Sequence, residues 1–316
     1  MHLRGPQQIR RRSAAPVGLV EPPVLMFGIG APKCGTTWMH RYLAAHPDCH
    51  FRALKELHYF DTLNDLGFDR LLELLDDRVG SLGLHLQNVE GEERERSLRE
   101  LVDSRDYLDL MRKRVDDRLG YSRFLIHGKG PKKLVGDITP AYALLPARVL
   151  KEMAGMTAKT RLVYLVRDPV DRLWSHVRMA VDHARIAPGD FDRRSRELLE
   201  SELAGNLDPN WPFLKYSDYA GTIARMKEAI PREKFLVMCY EDLLTPKGVR
   251  KLCSFLGIRH IEANFGAAVN EGKRSSLPEE LRAEMRRQLR PQYELAAKYF
   301  PTLPEAWKQT MSEGFA

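Results

Sequence analysis

The sequence predicts a three-layer α/β fold: a central, mainly parallel sheet flanked by helices, with a helical insertion. Two observations carry this. Short runs of continuous apolar character, the mark of strands buried on both faces, alternate with segments of helical periodicity. A glycine-containing loop also stands between the first such run and the first helical segment.

The first strand is the apolar run Val24 to Gly30, and helical spacing through Trp38, Met39, Tyr42 and Leu43 follows Thr36. A second unit begins with Arg161 to Val166. It turns at Arg167-Asp168-Pro169 and continues helically through Leu173, Val177 and Ala180. Asp168 can cap that helix and Pro169 can fill its first position. Phe235 to Tyr240 is a third strand, followed by Glu241-Asp242 and an amphipathic helix through Leu252, Phe255 and Leu256; Leu134 to Gly136 adds a fourth. Ligands of such sheets sit at the carboxyl ends of the strands.

Between about 67 and 118 the chain is rich in Leu, Arg, Asp and Glu. This reads as a helical insertion, broken near Gly80-Ser81-Leu82-Gly83 and at Gly91, with no fixed internal repeat. Arg282 to Lys298 forms a terminal helix with a solvated charged face. Residues 1–23, Pro-, Gln- and Arg-rich around Arg10-Arg11-Arg12, are expected to be a disordered or basic arm, with membrane-surface contact as the minority reading. Residues 24–316 make one α/β domain.

With 316 residues, 43% of them hydrophobic, there is material for a sizeable core. The net charge of +7 suits an anionic ligand, but basic and acidic residues are interleaved, which argues against a nucleic-acid partner. No run approaches the roughly 20 apolar residues of a membrane span, and no signal-peptide stretch opens the chain. The expectation is a cytoplasmic protein with no transmembrane segment. Cys34, Cys49, Cys239 and Cys253 show neither metal-site spacing nor a disulfide framework, so no metal is expected.

The chemistry concentrates at Gly30-Ala31-Pro32-Lys33-Cys34-Gly35-Thr36-Thr37-Trp38, between strand and helix, where backbone amides and the helix dipole can receive an anion. The fold is therefore P-loop-like. It is not an ordinary nucleotide-triphosphatase loop, because Gly35 is followed by Thr36 and the lysine has moved upstream to Lys33. A dinucleotide fingerprint fails as well, since Lys33 stands where a third glycine belongs.

At this loop the sequence resembles the sulfotransferases that use 3′-phosphoadenosine 5′-phosphosulfate, whose first signature is a Pro-Lys-x-Gly-Thr-Thr-Trp loop. Arg167-Asp168-Pro169-Val170-Asp171-Arg172-Leu173-Trp174-Ser175 resembles their second signature, in which the arginine and the serine hold the donor's 3′-phosphate. Lys55-Glu56-Leu57-His58-Tyr59-Phe60-Asp61 is similar to a Lys-Glu-x-His-Phe-Phe-Asp segment of the heparan-type and bacterial branch, where the glutamate is the proposed base. Gly136 to Tyr142 resembles Gly-Glu-Lys-Thr-Pro-x-Tyr, and Gly272-Lys273-Arg274 resembles a late basic loop that closes over the donor.

The resemblance implies sulfuryl transfer from 3′-phosphoadenosine 5′-phosphosulfate to a small-molecule, lipid or saccharide acceptor, leaving adenosine 3′,5′-bisphosphate. It gives donor contacts to Lys33, Cys34, Gly35, Thr36, Thr37, Trp38, Arg167, Ser175, Lys273 and Arg274, although packing behind the loop is the simplest role for Trp38. Lys33 would protect the leaving oxygen and Glu56 would be the general base. His58 is the rival base, because histidine titrates near neutrality unaided. The bland alternative for Glu56 is an ion pair with Lys55 or a cap. Lys55 has two open readings, reaching the sulfonate or facing solvent. Thr139 and Tyr142 are expected to shape the acceptor cleft, together with loops in 67–118 and 182–212. One departure stands out: Ile138 replaces a lysine that several carbohydrate-acting members place near the acceptor, which counts against a glycosaminoglycan.

Two other functions fit less of the chain. A kinase or triphosphatase with a degenerate loop would need Mg²⁺ and a metal-holding acid, for which Glu241-Asp242 is the candidate. A nucleic-acid module would need clustered basic and aromatic residues.

Overall fold

A computed structural model describes residues 21–184, 188–206, 213–266 and 275–314. Most of the basic arm and the pair Lys273 and Arg274 lie outside the described residues, as does part of the 182–212 loop. Five parallel strands, β1 Val24–Gly30, β2 Cys49–His50, β3 Leu134–Ile138, β4 Thr160–Val166 and β5 Phe235–Cys239, form one sheet in the order β2-β3-β1-β4-β5. β1, β3 and β5 are almost wholly buried, as continuous apolar runs require when helices cover both faces. The expected α/β class is what the chain adopts. The two-residue edge strand β2 is too short to carry a sequence signal.

Among the described residues, thirteen α-helices follow the strands and fill the connections. The first seven are α1 Thr36–Ala45, α2 Tyr59–Asp61, α3 Phe68–His85, α4 Gly91–Met111, α5 Arg118–Ile126, α6 Ala147–Gly155 and α7 Pro169–His183. The remaining six are α8 Phe191–Leu203, α9 Tyr219–Ala229, α10 Tyr240–Leu243, α11 Pro246–Leu256, α12 Glu279–Tyr299 and α13 Glu305–Gly314.

The insertion is an antiparallel hairpin of α3 and α4. Ion pairs of Arg78 with Glu100 and of Arg114 with Asp69 fix its register. The expected break at Gly80 to Gly83 is corrected: α3 runs through both glycines to His85. Nothing crowds either glycine, so each costs only the roughly 1 kcal/mol of its poor helix propensity, which packing against α4 outweighs.

The turns that present the site are built as the sequence implies. Asp168 caps α7 by accepting from the Asp171 amide at 3.0 Å, with Pro169 in the first turn. Gly35 precedes α1 with φ of 85°. A β-carbon there would also meet the Tyr240 ring at 2.5 Å, so this position demands glycine twice over.

Candidate active site

The carboxyl ends of β1, β4 and β5 converge on the loop between β1 and α1. The amides of Thr36, Thr37 and Trp38 occupy the first turn of α1, where no intrahelical acceptor exists, while the Met39 amide already bonds to the Gly35 carbonyl at 3.0 Å. These donors and the positive end of the helix dipole face the loop's concave side. The Cys34 amide is different, because it donates to the Ala31 carbonyl at 3.2 Å. Its thiol is buried against Tyr219, and burial pushes it up to about 12, so Cys34 is a packing residue of the loop. Trp38 is buried and stacks on Tyr42 at 5.6 Å and on Phe265 at 5.9 Å, which matches packing behind the loop.

Around those amides the fold gathers cations. Burial is the main force lowering the Lys33 ammonium below its ordinary range, and the charges of Arg167, Arg178 and Lys55 add to it, opposed by Glu56. Arg178 is itself lowered by burial and by Arg167. Arg167 lies over the Tyr240 ring at 5.3 Å and reaches Asp171 at 3.4 Å. Ser175 and Arg178, three residues apart on α7, share one helix face. No sequence motif names Arg178; its spacing from Ser175 is the one signal for it in the sequence. Tyr240 was missed because it approaches the loop only through the parallel pairing of β4 with β5.

The Lys55–His58 segment is brought to the same place. The Lys55 ammonium donates to the Thr37 hydroxyl at 2.8 Å and pairs with Glu56 at 3.0 Å. Lys55 therefore faces the loop and not solvent, and the ion pair that was the alternative reading for Glu56 is present. Glu56 keeps 41% of its side chain exposed. The His58 ring nitrogen Nδ1 lies 2.6 Å from Asp61 Oδ2. Burial works against a charged His58, but the hydrogen bond and charge of Asp61, with Glu56 and Asp137, outweigh it and raise the pKa above the ordinary value.

Among the described non-glycine residues, Lys33, Glu56, His58 and Arg114 have positive φ, and the first three are site candidates. Such conformations persist only where the surroundings over-determine them, and they concentrate at functional sites. The over-determination is visible here. Tyr107 donates to the Leu57 carbonyl at 2.8 Å, Tyr142 accepts from the Tyr59 amide at 3.0 Å, and Thr139 accepts from the His58 amide at 3.4 Å.

Thr139 and Tyr142 themselves need correcting. Both are fully buried, so neither presents a surface to an acceptor. Their hydroxyls donate to Asp137 at 2.8 and 2.6 Å, and Tyr121 adds a third bond at 2.8 Å. Burial raises the Asp137 carboxyl, and the three hydroxyls oppose that rise. They work from behind, holding the Lys55–His58 segment. Ile138 is core too: its side chain lies where a β-carbon on Gly28 would meet it at 2.9 Å. Glu241, the acid weighed as a metal holder, accepts from the Trp307 indole at 3.1 Å.

The model of the Sulfotransferase family matches residues 23–262. The chain belongs to the sulfotransferase family. This sulfotransferase is similar in fold to a sulfotransferase from Alicyclobacillus acidocaldarius, at 22% identity and a TM-score of 0.59, covering 92% of this chain and 100% of the other. The sulfotransferase domain from the curacin biosynthetic pathway aligns at 17% identity and a TM-score of 0.45, covering 93% of this chain and 97% of the other. The sulfotransferase domain from the Synechococcus PCC 7002 olefin synthase aligns at 17% identity and a TM-score of 0.49, covering 93% and 100%. No curated protein matches in sequence. As a sulfotransferase the chain is a transferase of sulfuryl groups. Among the described residues no helix is long and apolar enough to cross a membrane, and no group of three or more His, Cys, Asp or Glu side chains could hold a metal ion.

Proposed function

We propose that this sulfotransferase uses 3′-phosphoadenosine 5′-phosphosulfate and moves its sulfuryl group, by in-line displacement, to a hydroxyl or amine of a small-molecule, lipid or carbohydrate acceptor. The observation that supports this best is the gathering of Lys33, Arg167, Arg178 and Lys55 at the first turn of α1, where no side chain caps the open helix amides and Lys55 reaches the Thr37 hydroxyl. Such an arrangement costs stability when empty and is relieved by a polyanion carrying phosphates at two separated points.

In this reading the amides of Thr36 and Thr37, with their hydroxyls, hold the 5′ end of the donor, and Arg167 with Ser175 holds the 3′-phosphate. Arg178 adds charge beside that grip. Lys33 neutralises the leaving phosphate oxygen as the sulfur–oxygen bond breaks, so the step asks only for charge already stored in the loop. Glu56 takes the acceptor proton. It is tied to the loop through Lys55 and Thr37, which sets its distance from the transferred group. His58, held by Asp61, is the second candidate for that proton. Residues 24–316 act as one catalytic domain.

The test is an assay with sulfur-labelled donor against a panel of phenols, amino sugars, saccharide ends and lipid headgroups, without added metal. Acceptor-dependent release of adenosine 3′,5′-bisphosphate with label on the acceptor is expected. Label transfer from ATP analogues in its place, or none with any acceptor while the donor fails to bind, would overturn the proposal.

A further inference from the structure

The family match ends at residue 262, yet α12 and α13 beyond it converge on the back of the Arg167 turn. Tyr293 of α12 donates to Asp168 Oδ2 at 2.9 Å, while Asp168 Oδ1 accepts from the Asp171 amide at 3.0 Å. Both oxygens of the capping carboxylate are thereby engaged. The Tyr219 hydroxyl donates to the Arg167 carbonyl at 2.8 Å and accepts from the Arg167 amide at 3.4 Å, gripping that residue's backbone on both sides. Trp307 of α13 packs on Tyr219 at 6.4 Å and on Tyr293 at 5.9 Å. Its indole N–H donates to Glu241, the neighbour of the Tyr240 ring on which the Arg167 guanidinium rests.

We propose that Tyr293 and Trp307 are positioning residues, and that α12 and α13 form a strut setting Arg167 for the donor's 3′-phosphate. This rests on the donor assignment made above. The physical case is one of precision. A guanidinium gains its full advantage over a phosphate only when its fork is aligned, and a backbone fixed by buried hydroxyls in a low-dielectric core supplies that alignment before the ligand arrives. Tyr293 and Trp307 are wholly buried, so neither reaches a ligand directly. Their effect travels through Asp168, Glu241 and Tyr219.

A strut for Arg167 affects one phosphate of the donor and not the other. The full chain, with Tyr293→Phe and Trp307→Phe, is titrated with adenosine 3′,5′-bisphosphate and with adenosine 5′-phosphate, and amide hydrogen exchange is followed at Asp171. The wild-type chain is expected to prefer the bisphosphate. Each variant should lose about tenfold in bisphosphate affinity, the scale of one misaligned charged hydrogen bond, with less than about twofold change for the monophosphate. In Tyr293→Phe the Asp171 amide should exchange faster without ligand. A wild-type chain with no preference for the bisphosphate would remove the donor assignment and this inference with it. A wild-type preference retained in both variants, equal losses for both ligands, or unchanged Asp171 exchange would leave the donor assignment standing and overturn the strut.

Discussion

The Lys55 ammonium donates to the Thr37 hydroxyl at 2.8 Å, which joins the segment carrying the candidate base to the first turn of the helix carrying the candidate phosphate site. Lys55 also pairs with Glu56. Replacing it with methionine should leave adenosine 3′,5′-bisphosphate affinity within about threefold, because the amides and Arg167 remain. It should lower kcat by about tenfold to a hundredfold, as misplacement of a catalytic group does. Steady-state kinetics beside calorimetry checks the split.

Lys33 is held charged against burial and three neighbouring cations. Lys33→Met should therefore raise the Tm of the unliganded protein. The same change should abolish turnover. The sign follows from linkage: a lysine whose folded pKa lies below its unfolded value penalises the fold below that folded pKa, and the penalty lifts as pH rises toward 10.5. Thermal scans of both proteins, with and without the bisphosphate, make the comparison. Ligand should stabilise the lysine form more than the methionine form.

The His58–Asp61 pair gives a pH signature of the opposite sign. The folded pKa of His58 lies above 6.5, so its stabilisation is complete below the unfolded value and is lost as pH rises through the folded one. Urea unfolding from pH 5.5 to 8.5 should show wild-type stability falling more across that window than the stability of His58→Gln. If Glu56 is the base, Glu56→Gln should cut kcat by about 10²- to 10⁴-fold, whereas His58→Gln should cost far less.

Asp137 collects three buried hydroxyl bonds under that segment. Asp137→Ala strands three donors and should destabilise the chain by about 3 kcal/mol or more, whereas Tyr142→Phe removes one of those donors and strands only the Tyr59 amide, and should cost about 1 to 2 kcal/mol. Chemical denaturation of the two variants measures both.

How much of this the sequence reveals depends on distance along the chain. The strands β1, β3, β4 and β5 and the cap at Asp168 are local, and their apolar runs and turn residues announce them. Lys33, Lys55 and Arg167 lie in contiguous motifs, so their resemblance can be seen residue by residue. Burial is not local. Tyr142 and Thr139 sit in a matching motif, but only the packing of α5 and β3 turns their hydroxyls to a buried carboxylate. Arg178 meets the site through a helix face, with only its spacing from Ser175 to read, and Tyr240 and Trp307 meet it through a strand pairing and a terminal helix, which leave no fixed spacing at all. The glycines of α3 misled in the other direction, because a weak helix former predicts a break and a partner helix cancels it.

The central claim is that Lys33, Arg167 and the first turn of α1 form a metal-independent site for a nucleotide phosphorylated at both its 3′ and 5′ positions. Calorimetric titration of adenosine 3′,5′-bisphosphate into metal-free protein, beside ATP with Mg²⁺ and beside Arg167→Ala, tests it most directly. Tight binding of the bisphosphate, weak binding of ATP and a loss of about 2 to 3 kcal/mol in the variant are predicted. ATP with Mg²⁺ binding more tightly, or an Arg167→Ala variant that binds as the wild type does, would contradict the account.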